Sequence, residues 1–259
     1  MNVYVFDGTF EGLLTAVYQG YYEDWKPEAI VSVDQYQQRL TDTTKMVFTD
    51  QVKAQKVLSA IGHKLGEDTM QMVLYAFLSE HEDRGTYIYR FLRFAFKVGS
   101  RAIEYLTNEA VTPMWACYRK VGREGHRMVG LIRFVELESG VLYSQYESDY
   151  NIIPILGEHF ADRLKGQAWI LHDMGREQGA VCDGQTWHMR PLTTPEVIQL
   201  HESEITFQQL WRTYFKHISI KERANPKLQR GHMPKKYWKY LVEMNPVDDA
   251  FTRKQLPKS

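Results

Sequence analysis

The sequence predicts an α+β protein with a helical N-terminal half, a central antiparallel sheet of ββαββ order carrying a helix on one face, and a basic helical C-terminal segment. Three observations carry that expectation. Apolar residues recur at helical spacing from about residue 51 to residue 118. Beyond residue 125 the period changes to alternation around two turn signals, Glu138-Ser139-Gly140 and Asp183-Gly184. From Trp211 to Leu241 the chain holds nine Lys/Arg against one acid, Glu222, interleaved with Trp211, Tyr214, Phe215, Tyr237, Trp238 and Tyr240.

Taken in order, Val3-Tyr4-Val5-Phe6 is a short apolar strand, Asp7-Gly8 turns, and Phe10, Leu13, Leu14 and Val17 continue at helical spacing. Residues 24–50 mix periods and read as a loop with a short helix or strand. Val52, Gln55, Lys56 and Ser59 open one helix, and Met70, Val73, Leu74, Phe77 and Leu78 mark a second. A third helix lies within 86–107. There Tyr87, Phe91, Phe94 and Val98 form an apolar stripe, while Arg90, Arg93, Lys97 and Arg101 form a basic one. Val129–Glu138 and Val141–Glu147 read as a hairpin, Ile155–Leu164 as a helix after Pro154, and Ala168–His172 with Ala180–Cys182 as a second strand pair that Thr186–Met189 extends. Pro191 and Pro195 mark a linker, and the tail beyond 245 reads as weakly ordered. The resulting regions are 1–125, 126–190 and 191–259, which one compact globule can hold together.

Charge is segregated. The chain is formally neutral, yet residues 1–83 carry six Lys/Arg against thirteen Asp/Glu, residues 84–133 ten against three, and residues 134–210 four against twelve. Such blocks either neutralise one another in the fold or set basic surfaces around a nucleic-acid groove. No apolar run reaches the length of about 18 residues that a membrane span needs. The N-terminal residues lack a basic-then-apolar leader pattern, and Cys117 and Cys182 stand far apart without CxxC spacing. A reducing cytoplasm, no cofactor and no metal are therefore expected.

The cationic–aromatic block is the leading functional candidate. Arg and Lys supply charge-assisted bonds to phosphates, and amide and imidazole groups donate to phosphates or base edges. The candidate nucleic-acid contacts are Arg212, Lys216, Arg223, Asn225, Lys227, Arg230, His232, Lys235, Lys236, Tyr237 and Trp238, joined by Arg90, Arg93 and Lys97. Phe207, Trp211, Tyr214 and Ile218 form an apolar stripe expected in the core, with Arg212 and Lys216 on the polar side. A competing reading wraps the basic segment over the acidic blocks. Candidate catalytic residues are His126 and Arg127 before one strand, His159 and Arg163 within one helical turn, and His172 and Asp173 at a strand end, with Asp7 at the first strand end. No HExxH, HxH, Walker, GxGxxG or GxSxG pattern occurs.

The run WRTYFKHISIKERANPKLQRGHMPKKYWKYL resembles the C-terminal signature of a bacterial family of DNA metabolism or repair proteins of unknown function. EGHRMVGLIRF (124–134), HFADRL (159–164), AWILHD (168–173) and the opening FDGTFEGLLTAVY are similar to that family's other motifs. By position the motifs fall on His126, Arg127, Met128, His159, Arg163, His172 and Asp173, and on Trp211, Arg212, Arg223, Asn225, Pro226, Arg230, Met233, Pro234, Tyr237 and Trp238. The resemblance implies a place beside DNA repair or modification and a radical-SAM-type partner protein. It also implies a C-terminal domain shared with uracil-DNA-glycosylase-like proteins. With no cysteine triplet here, any radical chemistry would belong to the partner. The expected function is DNA binding. The alternatives are an enzyme acting on DNA or nucleotides through the central His, Asp and Arg residues, and a scaffold for a partner.

Overall fold

Strand β1 (Asn2–Phe6) is the middle of a three-stranded parallel sheet, flanked by β2 (Ala29–Ser32) and β3 (Thr43–Val47) in the order β2-β1-β3. The structure, a computed structural model, describes residues 1–193, 198–218, 220 and 225–245. The mixed-period stretch 24–50 thus supplies two strands. Each is only four or five residues long, too short for its period to stand out. Between β1 and β2 runs helix α1 (Phe10–Tyr22), whose N-cap Thr9 accepts from the Gly12 amide.

Helices α2 (Gln51–Leu65), α3 (Glu67–Leu78) and α4 (Arg84–Val98) follow, then a 3-10 turn (Ser100–Glu104) and α5 (Thr112–Leu131). Asp50 caps α2 by accepting from the amides of Val52 and Lys53. The face that α2 buries is Ala54, Val57, Ile61 and Leu65, whereas Val52 stays exposed. In α4 the buried face is Ile88, Tyr89, Phe91, Leu92 and Ala95, leaving Arg90, Arg93 and Lys97 in solvent. These side chains, with Phe6, Leu13, Leu14, Ile30 and Met72, form one apolar core.

By contacts the chain divides into two units, Met1–Gly122 and Arg123–Ser259, with the division inside α5. The second unit is built on a five-stranded sheet ordered β4-β5-β6-β7-β8: β4 (Val135–Glu136), β5 (Leu142–Tyr146), β6 (Ala168–Asp173), β7 (Gln178–Asp183) and β8 (Trp187–Pro191). The mixed α/β class and the ββαββ order agree with the sequence, with two differences in detail. Residues 129–131 continue α5 rather than open a strand, because Val121, Met128 and Ile132 keep helical spacing and all turn inward. Strands β5 and β6 also run parallel. Helix α6 (Ile153–Arg163) sits between them and carries the chain back as a crossover, which a parallel pair requires. The remaining neighbours are antiparallel.

Helix α6 covers one face of this sheet. Phe134 packs edge-on against Phe160 of α6 and against Trp169 of β6, at ring distances of 5.0 and 6.4 Å. Gly157 lies so near the Trp187 ring that a Cβ there would sit 2.9 Å from it. The opposite face carries Tyr143, Ile170 and His172. After β8 come α7 (Glu204–Ile218), α8 (Pro226–His232) and a strap of two 3-10 turns, Lys235–Tyr240 and Val242–Met244. Pro191 closes β8, while Pro195 and the tail beyond 245 lie outside the described residues. Among the described residues no helix is long and apolar enough to cross a membrane.

Helix α4 meets β2 at Gly85, where a Cβ would fall 2.4 Å from the Ile30 carbonyl oxygen; beside it, Thr86 Oγ1 accepts from the Ile30 amide at 3.0 Å. Alanine normally favours a helix over glycine by about 1 kcal/mol. Gly85→Ala is nevertheless expected to destabilise the protein by about 1–3 kcal/mol in urea unfolding. A raised midpoint would show that the backbones do not approach this closely.

Candidate nucleic-acid interface

The C-terminal strap is fixed by one buried carboxylate. Glu124 of α5, 4% exposed, accepts hydrogen bonds from the Tyr237 hydroxyl and from Ser148 Oγ at 3.2 Å, and pairs with Arg127 at 3.2 Å. Lys236 pairs with Asp149 and stands 3.8 Å from Glu124. One turn on, Lys239 and Tyr240 both reach Glu147, at 2.6 and 2.7 Å. Burial pushes the Tyr237 and Tyr240 phenols up, and their carboxylate neighbours push them further. Both therefore serve as neutral hydrogen-bond donors. Four strap residues, Lys236, Tyr237, Lys239 and Tyr240, thus close on three acidic residues of the second unit, as the wrapping alternative expects of a basic segment.

The strap in turn orients α7. Arg212 Nε donates to the Val242 and Asn245 carbonyls at 2.9 and 3.1 Å, and its Nη2 reaches Gln208 at 3.4 Å. Gln208 donates to Glu204, whose other carboxylate oxygen accepts from the Glu136 amide at 3.1 Å. Glu204, Gln208 and Arg212 lie at i, i+4 and i+8, so the inward face of α7 is polar. The expected placement of the apolar stripe is thereby reversed. Phe207 (61% exposed), Trp211 (38%) and Tyr214 (55%) lie outward with Leu210 and Ile218. Trp211 is held in place rather than buried. Its Nε1 donates to Glu243 at 3.0 Å, the Arg133 guanidinium covers it at 5.3 Å, and Arg133 pairs with Glu243 at 2.8 Å.

The remaining predicted contacts divide by role. Lys227, Arg230 and His232 are exposed on α8, which buries none of its residues. Asn225 caps α8 by accepting from the Leu228 amide at 3.0 Å, and Arg230 Nε reaches the Pro226 carbonyl. Lys235 is exposed and lies over the Trp238 ring at 5.8 Å, and Trp238 donates to the Met233 carbonyl. Lys216 is exposed at the end of α7. Tyr237 is buried, and Arg223 lies outside the described residues. In the first unit Arg90 reaches the Glu28 carbonyl at 3.4 Å, Arg93 lies over Tyr89, and Lys97 is exposed.

The candidate catalytic residues do not form one hydrogen-bonded cluster among the described residues. His126 is exposed on α5, one residue from the Arg127–Glu124 pair, so neither precedes a strand directly. His159 packs its ring on Phe160, and Arg163 is exposed at the end of α6. Adjacent on β6, His172 and Asp173 take opposite faces of the sheet. His172 Nδ1 meets the Tyr143 hydroxyl at 2.9 Å, and Asp173 pairs with Arg176 at 3.0 Å. Burial raises the Asp173 carboxyl despite Arg176. Asp7 accepts from the Thr9 amide and from Thr9 and Thr49 hydroxyls. No group of three His, Cys, Asp or Glu able to hold a metal occurs among the described residues.

Sequence reading missed Glu124, Glu204, Gln208 and Glu243 as organisers, and Phe207 and Leu210 as surface residues. One signal was present: Glu204, Gln208 and Arg212 repeat every four residues, a polar stripe able to bond a neighbouring backbone.

Removing the Tyr237 hydroxyl leaves a buried carboxylate short of a donor. Tyr237→Phe is expected to cost about 1–3 kcal/mol in chemical denaturation, and an unchanged midpoint would show that the strap is not held at Glu124. Glu147 and Glu243 test the same arrangement by pH. Burial alone would raise both carboxyls; Lys239 and Tyr240 at Glu147, and Arg133 at Glu243, outweigh it and hold both below the usual 4.5. Their contribution is therefore full above pH 4.5 and lost as pH falls through the lower folded values. Glu147→Gln/Glu243→Gln should flatten the acid limb of the stability profile between about pH 5 and pH 3, whereas an unaltered limb would contradict the assignment.

Residues 82–243 match the model of a family described as a domain of unknown function, DUF4130. No curated protein matches the chain.

Proposed function

The chain belongs to the DUF4130 family, and we propose that it binds DNA through α7, α8 and the Lys235–Trp238 turn, in the service of a repair or modification system. One observation carries this reading: α7 turns its polar face inward and holds Phe207, Trp211 and Tyr214 in solvent. Exposed aromatic rings and exposed cations carried by one unit suit a nucleic-acid strand, because bases stack on rings while Lys and Arg neutralise phosphates. Lys227, Arg230 and Lys235 supply the cations within the same unit. Stacking needs unpaired bases, which favours single strands or locally opened duplex.

The setting in DNA repair or modification, the radical-SAM-type partner and the cytoplasmic location come from the motif resemblance and the reading of the sequence. Under this reading the chain delivers or holds the strand, and the partner supplies any radical chemistry.

Two variants separate the contributions. Phe207→Ser/Tyr214→Ser should leave the thermal midpoint unchanged, both side chains being exposed, yet weaken single-strand binding by about 1–3 kcal/mol per lost stack in fluorescence anisotropy. Lys227→Ala/Arg230→Ala/Lys235→Ala should weaken binding to all sequences and reduce the slope of log K against log salt by about two to three. Wild-type affinity in both variants would remove α7 and α8 from the interface.

A further inference from the structure

The sheet face opposite α6 carries a cavity of about 370 Å³, lined among others by Leu137, Tyr143, Ile170, His172, Leu192 and Ile198. That volume lies within the range of about 300–1,000 Å³ typical of small-molecule sites. Its walls are aliphatic: Leu137 beyond β4, Ile170 on β6, and Leu192 and Ile198 after β8. The Leu192 wall exists because of Gly179, where a Cβ would fall 2.4 Å from Leu192 Cδ1 and equally near the Leu171 carbonyl oxygen. Opposite, the backbone of 199–201 pairs with that of 136–138, which fixes the flank bearing Leu137 and Gln199.

The floor is polar and uncharged. Tyr143 and His172, both buried, meet at 2.9 Å, and Gln145 Nε2 donates to the Tyr143 hydroxyl at 3.1 Å. With Gln145 donating to the phenol oxygen, the phenol proton turns to His172 Nδ1, and the neutral ring carries its hydrogen on Nε2. His172 is 1% exposed, and its Nε2 makes no hydrogen bond of normal geometry among the described residues. Burial favours the neutral imidazole, and the nearby Leu192 backbone offsets this only in part. The Leu192 backbone is thus a poorly aligned acceptor for His172 Nε2, and a buried donor so weakly met at the bottom of a cavity is a group that a better-placed ligand acceptor can satisfy.

The lining also excludes classes of ligand. Among the described residues of the lining, Glu138 at the rim is the only ordinarily ionised side chain, so an anion is not favoured inside. Aliphatic walls above a hydrogen-bonding floor, with Ser139, Thr193 and Gln199 also in the lining, suit an uncharged ring with polar edges. Outside the cavity, Arg190 is exposed on the same sheet face, in register with Gly179 and thence with His172. Two strand spacings, roughly 10 Å, separate it from His172, and it offers a cation to a phosphate beyond the ring.

We propose that this cavity is a binding pocket for a nucleobase, supplied either by a nucleotide extruded from a bound strand or by a free nucleoside. The first source rests on the DNA-binding reading above; the second does not.

The test uses the full chain with two probes: a single-stranded oligonucleotide containing 2-aminopurine, read by fluorescence, and free 2-aminopurine riboside, read by saturation-transfer NMR. The wild-type protein should bind at least one probe. Ile198→Trp at the rim and Ile170→Phe on the wall should each weaken that signal at least tenfold, with the thermal midpoint of Ile198→Trp confirming the fold. A signal from the oligonucleotide alone identifies the extruded base as the source, and one from the riboside alone identifies the free nucleoside. Riboside binding that the variants abolish, in a protein that binds no strand at any salt, would sustain the pocket while removing the DNA-binding reading. Failure of the wild type to bind either probe, or wild-type affinity in both variants, overturns the proposal.

Discussion

The second unit depends on one buried carboxylate being satisfied. Glu124 collects a phenol, a hydroxyl, a guanidinium and a nearby ammonium from α5, from the chain after β5 and from the strap. A carboxylate without such donors is costly to bury, so the strap is held where those donors meet it. The consequence passes along the chain. The placed strap offers the Val242 and Asn245 carbonyls to Arg212, and Arg212, with Gln208 and Glu204, turns α7 polar side inward. The outward aromatic face of α7 is thus the far end of a hydrogen-bonded sequence that begins at Glu124.

That arrangement divides the basic segment into two kinds of cation. Lys236 and Lys239 close on Asp149, Glu124 and Glu147 and hold the fold together, as does Arg212 through backbone carbonyls. Lys227, Arg230, His232 and Lys235 remain on the surface. The wrapping and nucleic-acid readings of this segment therefore assign different residues rather than compete for the same ones. Among the described residues, Lys236 and Lys239 are drawn to the protein's own carboxylates and Arg212 to backbone carbonyls, while Lys227, Arg230 and Lys235 have charge to offer a phosphate.

Much of this was legible in the sequence. The strand–turn–helix at Val3–Val17, the helices through 51–98 and the turns at Gly140 and Gly184 follow from period and turn chemistry, with both glycines at positive φ. Parallel pairing was not legible, because short strands such as Ala29–Ser32 take their partners from distant sequence and register leaves little local trace. The outward face of α7 was hidden for a different reason. Periodicity finds the apolar stripe of a helix but assumes that it faces the core, and here a polar stripe with better backbone partners occupies that side. Likewise, His172 and Asp173 read as neighbours in sequence, yet alternation along a strand sends them to opposite faces and into separate pairings.

The most direct test of the central claim is to locate a bound strand on the protein. Photocrosslinking with single-stranded DNA carrying 5-iododeoxyuridine, followed by peptide mass spectrometry, reports which aromatic side chains lie against the bases. Crosslinks at Phe207, Trp211 or Tyr214 are the result this account predicts. A strand that binds the protein but crosslinks only outside Glu204–Ile218 would contradict it.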